Sequence, residues 1–131
     1  MEEFVKPFKA LSDETRLRIF NLLLQRECCV CEVMQVLEIS QTRASRNLGI
    51  LENAGFLKSH RDGAWVLYSL CSNAENKYAD SFNAILKELA DSDVLFQEDK
   101  ERLKKTKRIG HGCTAKLSAR RTVKSTKSAK Y

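Results

Sequence analysis

Cys28, Cys29 and Cys31 place three thiols within four positions, directly ahead of a run with helical spacing. Thiolates are soft ligands, so such a cluster suits soft ions better than histidine or carboxylate groups do. It can also oxidise, and in a reducing compartment clustered thiols more often bind metal or sense redox state than staple a fold. Adjacent Cys28 and Cys29 are poor material for a structural disulfide, which needs facing side chains. The other two cysteines of the odd total of five, Cys71 and Cys113, stand alone in sequence.

The spacing has a geometric consequence. On a regular α-helix, residues i and i+2 point about 200° apart, because successive residues rotate by about 100°. Cys29 and Cys31 cannot grip one small ion from such a helix. In an extended chain the same two side chains fall on one side and Cys28 faces away. Ion capture is therefore expected to distort the start of the helix. A helix N-terminus lowers a cysteine pKa while Glu27 and Glu32 oppose it, and the residues leave that balance open.

The elements that must position these thiols can be read around them. Phe4 to Ala10 is an apolar and basic lead, with Pro7 restricting the chain before the first long helix. Ser12 reads as the cap of a helix from Thr15 to Gln25, with Asp13 and Glu14 favoured near its start by the helix dipole. Leu17, Ile19, Phe20, Leu22, Leu23 and Leu24 cover more than one stripe of it. Such a helix faces its own core and a partner, or is the central helix of a monomer. Glu32 to Leu37 forms a short helix, Ile39-Ser40-Gln41 a turn, and Ser40 caps the next helix. There Ala44, Leu48 and Leu51 make an inward stripe, while Arg43, Arg46 and Asn47 fall on another side, as a major-groove helix requires. Alone, this is also an ordinary amphipathic helix with a solvated face. Gly55 ends it as a C′ residue.

A hairpin follows: Phe56 to Arg61, an Asp62-Gly63 turn of a preferred type I′ pair, then Ala64 to Leu70 with Val66, Tyr68 and Leu70 on one face. A hairpin after a helix-turn-helix is a wing. Lys58, His60 and Arg61 are expected near its tip, within reach of phosphate or the minor groove. Ser72-Asn73 caps a last helix from about Ala74 to Ala90, whose stripe Tyr78, Phe82, Ile85, Leu86 and Leu89 is assigned to a dimer interface together with Phe8 and Leu11. The alternative is that the stripe packs on its own body.

Charge is split. Residues 1–96 hold 11 Lys+Arg and 14 Asp+Glu (11 − 14 = −3), and residues 97–131 hold 12 and 3 (12 − 3 = +9), which sum to the net +6. DNA binding by the body must rest on local placement rather than on the overall pI. Two units are expected: a folded domain over 1–96 and a basic, flexible tail over 97–131, with 97–110 a frayed helix and 111–131 disordered. The tail's lysines would add phosphate contacts, so truncation at Phe96 would flatten the salt dependence of DNA binding. The 43% hydrophobic content suits a globular domain. No apolar run nears the roughly 20 residues of a membrane span and the N-terminus lacks a secretory pattern, so no membrane partner and a cytoplasmic location are expected. P-loop, G-x-S-x-G and dinucleotide motifs are absent, and His60 and His111 are the only histidines, so no enzyme is expected. Cys28 and Cys31 have C-x-x-C spacing, but not on a thioredoxin-like frame.

The order of elements and four stretches resemble the ArsR/SmtB family of dimeric winged-helix metalloregulators over roughly residues 5–96. The stretches are Leu11-Ser12-Asp13-Glu14-Thr15-Arg16-Leu17, Cys29-Val30-Cys31-Glu32-Val33, Ser40-Gln41-Thr42-Arg43-Ala44-Ser45-Arg46-Asn47-Leu48 and Gly63-Ala64-Trp65-Val66-Leu67-Tyr68. The resemblance implies a mainly α fold with a β-hairpin wing, a winged helix-turn-helix that dimerises through its first and last helices. It also implies a repressor that leaves its operator when an ion binds. The Cys-Val-Cys is similar to the arsenic-responsive branch, in which a third cysteine follows three positions later; here that position is Met34. The zinc branch uses Asp and His pairs on the last helix, and 73–96 has no histidine; the cadmium and lead branch adds cysteines near the N-terminus, and 1–27 has none.

As(III) or Sb(III) is therefore the expected effector, with Cys28, Cys29 and Cys31 as ligands. Cys28 is the nearest third thiol, Cys113 from either subunit the next, and Cys71 a buried structural residue. The DNA-facing set is Ser40, Gln41, Thr42, Arg43, Ser45, Arg46 and Asn47 with Lys58, His60 and Arg61. A two-fold dimer implies double-stranded operator DNA with an inverted repeat, its half-sites about one turn apart. A redox or other thiol-reactive regulator, or a Cd, Pb or Zn sensor, of the same fold is the alternative. A DNA-binding architectural protein with incidental thiols is a further one.

Overall fold

The computed structural model describes residues 1–109. The expected disorder of 111–131, and Cys113 with it, lie outside the described residues.

The lead is itself a helix, α1 (Glu2–Leu11), with Pro7 inside it rather than ahead of it. Glu2 and Glu3 begin it and Lys9 closes it, which suits the helix dipole. Phe8 is held edge-to-face on Phe82 at 5.7 Å, so tertiary packing offsets the hydrogen bond that proline removes. Helix α2 (Glu14–Gln25) is capped by Asp13, whose side chain accepts from the Arg16 N–H at 3.0 Å. Ser12 instead closes α1, its hydroxyl donating to the Phe8 carbonyl at 2.9 Å. The second apolar side of α2 is covered within the chain: Ile19, Phe20, Leu22 and Leu23 are buried, and buried Asn21 donates to the Phe96 carbonyl. Of the two alternatives the residues left open, α2 is the central helix of the monomer.

After β1 (Cys28–Cys29) come α3 (Val30–Leu37) and α4 (Gln41–Asn53), joined by a turn in which Glu38 takes a left-handed φ of 57°. Ser40 caps α4 by accepting the Arg43 N–H at 3.1 Å. Ala44, Leu48 and Leu51 are wholly buried, as their spacing predicts. Gly55, at φ +91°, ends α4 in a Schellman motif: Phe56 N–H donates to the Leu51 carbonyl and Gly55 N–H to the Glu52 carbonyl.

Strands β2 (Leu57–Asp62) and β3 (Trp65–Leu70) form the wing, and β1 pairs with the other edge of β3 to give the order β1-β3-β2. Asp62 pairs with Trp65, so the loop is Gly63-Ala64 and not Asp62-Gly63. Gly63 has φ +63° and Ala64 is not left-handed, the pattern of a type II′ turn with glycine first. Tyr68 and Leu70 lean on the main core, as alternation predicts, but the opposite face is covered too: Leu67 is buried there with Trp65 against it.

Helix α5 (Ala79–Asp91) starts five residues later than expected. Ser72 organises a turn instead, its N–H and hydroxyl both donating to Glu75 at 2.7 Å, while Asn73 accepts the Asp80 N–H. The largest departure is α6 (Val94–Lys104), which packs on α2 and α3, so the boundary expected at 96 falls inside a folded helix. Asp93 caps it, Leu103 is buried, and fully buried Asp99 is gripped by Arg18 at 2.8 and 2.9 Å and by Arg102 at 2.6 Å. A cut at Phe96 would thus strip the cover from α2, and a test of the tail's charge needs its cut after Ile109. Among the described residues no helix is long and apolar enough to cross a membrane.

Candidate thiol site and nucleic-acid interface

Cys29 is the last residue of β1 and the N-cap of α3, with extended φ −92° and ψ 170°. Cys31 lies two residues on, in the first helical turn. Because the first of the pair stands outside the helix, the thiol of Cys29 lies 2.8 Å from the sulfur of Cys31, itself disulfide-bonded, with α3 regular from Val30 onward. This corrects the expectation that capture must distort the helix: a cap residue escapes the 100° rotation. Glu32, at the third helical position, accepts the Cys29 N–H at 2.9 Å and locks the cap. Its carboxylate also takes Arg26 at 3.0 Å and Arg108 at 3.4 Å, so it is occupied as an anchor rather than available as a ligand.

Cys28 is separated from the pair by the sheet. It sits opposite Tyr68 and packs in the main core, whereas Cys29 sits opposite Leu67 and packs with Cys31, Leu67 and Trp65. The structure thus does not bring Cys28 to the Cys29–Cys31 pair, as the extended chain predicts, because adjacent residues of a strand face opposite ways. Burial pushes the Cys28 thiol up to about 12, with Glu32 adding to the shift. Burial also raises the Cys29 pKa, outweighing the hydrogen bonds that favour its thiolate. Cys71, beyond β3, is buried and apart from both sulfurs. Among the described residues no three His, Cys, Asp or Glu side chains are grouped to hold a metal ion.

Two parts of this site escaped the sequence. Residues after α6 cross α3: Gln35 donates to the Lys107 carbonyl at 2.8 Å and accepts the Lys107 N–H at 3.2 Å, placing that carbonyl 3.9 Å from Cys31 Sγ. Trp65 is the other, its buried indole N–H having no hydrogen-bond partner among the described residues. The available signal was Glu32 three residues after Cys29, the spacing of a capping box, which marks Cys29 as outside the helix.

On α4 the exposed face carries Thr42, Arg43 and Arg46, beside half-buried Gln41 and Ser45 and the cap Ser40. Arg43 also donates to Thr15 Oγ1 at 3.1 Å. Asn47 does not belong to this face. It is buried, accepts from Arg16 at 2.9 Å and donates to the Arg43 carbonyl, tying α4 to α2. In the wing, Lys58 stands at the base, opposite Ser69, and pairs with Glu75 at 3.0 Å. His60 lies mid-strand, 3.6 Å from Glu27, so only Arg61 of the three approaches the turn.

The expected dimer face divides likewise. Phe8 is 62% exposed, Ile85 54% and Leu89 57%, and Tyr78 is exposed as well. Leu86 is buried in its own core, and Leu11 and Phe82 are partly buried against it. A groove lined by Phe4, Pro7, Phe8, Tyr78, Phe82 and Ile85 separates α1 from α5.

A family model described as bacterial regulatory protein, arsR family, matches residues 13–59, which span α2, the cysteine pair and the helix-turn-helix. A cadmium resistance transcriptional regulatory protein CadC homolog of Staphylococcus aureus is 45% identical over 69 residues, 52% of this chain and 57% of the relative. The arsenic resistance transcriptional regulator ArsR1 of Pseudomonas putida is 47% identical over 75 residues, 53% of this chain and 58% of the relative. The chain thus spans just under three fifths of the length of these curated relatives. Among solved structures, the homodimeric winged helix-turn-helix DNA-binding domain of a possible ArsR-family regulator from Mycobacterium bovis superposes with a TM-score of 0.59 at 26% identity, over 71% of this chain and 82% of that one. The architecture is a winged helix-turn-helix, mainly helical with a three-stranded wing. The chain belongs to the ArsR family of bacterial regulatory proteins.

Proposed function

We propose that the chain is a homodimeric transcriptional repressor that leaves its operator when arsenite or antimonite is held by Cys29 and Cys31. The observation that carries this reading is the pair of sulfurs converging at the joint between wing and α3. A soft trivalent ion needs few ligands and prefers thiolates, so Cys29 and, once its disulfide is reduced, Cys31 supply two of them. A tetrahedral zinc-type site would lack two ligands, and Glu32 is committed to Arg26, Arg108 and the Cys29 N–H. Cys113, expected from the sequence as a further ligand, is six residues beyond Lys107, a reach of up to about 20 Å for an extended chain.

Coupling to DNA follows from position. Cys29 belongs to the sheet through Leu67 and caps α3, which packs on α4. An ion bridging Cys29 and Cys31 fixes the angle between the wing and the helix-turn-helix, the two parts that must dock together. The dimer forms through Phe8, Tyr78, Ile85 and Leu89, apolar side chains exposed on a single chain. The DNA-facing residues are then Gln41, Thr42, Arg43, Ser45 and Arg46, with Arg61 on the wing, on an inverted-repeat operator.

The test is fluorescence anisotropy on an operator duplex selected by the protein from random sequence, under reducing conditions, with arsenite, cadmium and zinc titrated in turn. Arsenite should release DNA from the wild type and from Cys28→Ala, but not from Cys29→Ser. Even outer-shell partners of a metal cost about 10–100-fold in affinity, so loss of a ligand should raise the arsenite midpoint by at least about 100-fold. Release from Cys29→Ser at the wild-type midpoint would overturn the assignment. The disulfide-bonded state of Cys31, with the Cys29 thiol 2.8 Å from its sulfur, also favours a second reading, release by thiol oxidation. Release by a mild oxidant with no ion present would establish that one.

A further inference from the structure

We propose that Arg16, acting through Asn47, is a positioning residue that sets the spacing at which a dimer reads its two half-sites. The inference rests on the reading above of α4 as the DNA-facing helix and of α1 and α5 as the dimer face. Arg16 lies in the first turn of α2, and its guanidinium spans the two neighbouring helices. Its Nε donates to the Ala10 carbonyl at 2.6 Å, at the end of α1, and its Nη1 donates to Asn47 Oδ1 at 2.9 Å, on α4. Asn47 is 4% exposed, and its amide nitrogen donates onward to the Arg43 carbonyl at 3.0 Å, so both ends of that amide are used. The backbone that carries Arg43 is thereby tied to the helix that carries Phe8. A satisfied polar link of this kind holds its elements rigidly.

Two observations leave this link as the one that matters in the complex. A cleft of about 360 Å³ parts α1 from α4, with Val5, Lys6, Arg16, Ile50 and Asn53 on its walls, so close packing does not fix their angle there. The other polar contact between α2 and α4, from Arg43 to Thr15 Oγ1 at 3.1 Å, is exposed and occupies a guanidinium needed at the DNA. In a two-fold dimer the separation of the two α4 helices follows from the angle of each to the dimer face, and any error counts twice. One base pair changes the offset between half-sites by about 3.4 Å of rise and about 35° of rotation. A rigid link makes the dimer intolerant of that step.

The test is anisotropy of the full chain, below each variant's thermal midpoint, on the selected operator and on duplexes with one base pair inserted or removed between the half-sites. Wild type, Arg16→Lys, Asn47→Ala and the double variant are compared, with an unrelated duplex as reference. Arg16→Lys keeps the charge, but an ammonium cannot match the fork that spans Ala10 and Asn47. Wild type should lose at least about ten-fold on a one-base-pair change, as for a mismatched pair, and each single variant less than about three-fold. The double variant should match the singles, because the two residues act as one link. Affinity for the unrelated duplex should not change, since phosphate contacts supply it. Wild-type spacing discrimination in both single variants overturns the inference. So does discrimination kept by Arg16→Lys and lost by Asn47→Ala, which would make Arg16 a charge and nothing more. Equal weakening on every duplex, the unrelated one included, overturns it as well, by showing a role in folding alone. A wild type with no spacing preference refutes instead the underlying reading of a dimer on an inverted repeat.

Discussion

Asp99→Ala should destabilise the chain by about 3–5 kcal/mol, the cost of breaking a buried ion pair from one side. The carboxylate is fully buried, both oxygens are taken by the Arg18 fork at 2.8 and 2.9 Å, and Arg102 adds a third contact at 2.6 Å. Asp99 in turn raises the Arg18 pKa, chiefly by its hydrogen bond and against the effect of burial. Removing it leaves Arg18, whose side chain is 19% exposed, without its partner between α2 and α6. At about 4 °C per kcal/mol for a domain of this size, the thermal midpoint should fall by about 12–20 °C. Arg102→Ala is the control: its side chain is 41% exposed, so solvent screens the pair and the effect should stay near or below about 1 kcal/mol. Circular dichroism melting checks both, and equal small shifts would show that α6 is not anchored by this network.

The second large effect concerns DNA. Arg43→Ala with Arg46→Ala should lower operator affinity by at least about 100-fold, since a single arginine contact to a base is worth about 1–3 kcal/mol and a dimer uses each twice. The two guanidinium groups stand on the exposed face of α4 that starts at the Ser40 cap. Residues 1–109 hold 17 Lys+Arg and 17 Asp+Glu, a net charge of 17 − 17 = 0, so no general attraction of this part replaces them. Lys58→Ala should change affinity little, because Lys58 is paired with Glu75 at the base of the wing. Anisotropy at one fixed salt concentration checks the ranking, and normal affinity of the double variant would remove α4 as the reading helix.

What was legible in the sequence was what local rules decide. Ser40, the stripe Ala44, Leu48 and Leu51, and Gly55 placed α4 to the residue, because capping, period and a left-handed end agree. The wing was legible as a hairpin, yet its turn slipped by one residue, since both Asp62-Gly63 and Gly63-Ala64 satisfy a two-residue loop. Helix α6 was legible only as a frayed helix over 97–110 within a basic tail; its start at Val94 and its docking were not, because what fixes it is Asp99, whose partner Arg18 is 81 positions away. No local signal reports such a pair. Asn47 was misplaced for a similar reason, because helical period puts it beside Arg46 but Arg16 draws it inward. The cysteine pair was legible as chemistry and not as geometry. Its meeting depends on Cys29 being a cap, which the spacing to Glu32 signals and the pairing of β1 with β3 fixes.

The measurement that tests the central claim most directly is reciprocity. Arsenite affinity is measured calorimetrically for the protein alone and for the protein saturated with operator duplex, and operator affinity is measured with and without saturating arsenite. If one site acts on the other through the joint at Cys29, the two ratios must be equal, as linkage requires. The account predicts that operator weakens arsenite binding by the same factor by which arsenite weakens operator binding. Equal arsenite affinity in the free and DNA-bound protein would contradict it.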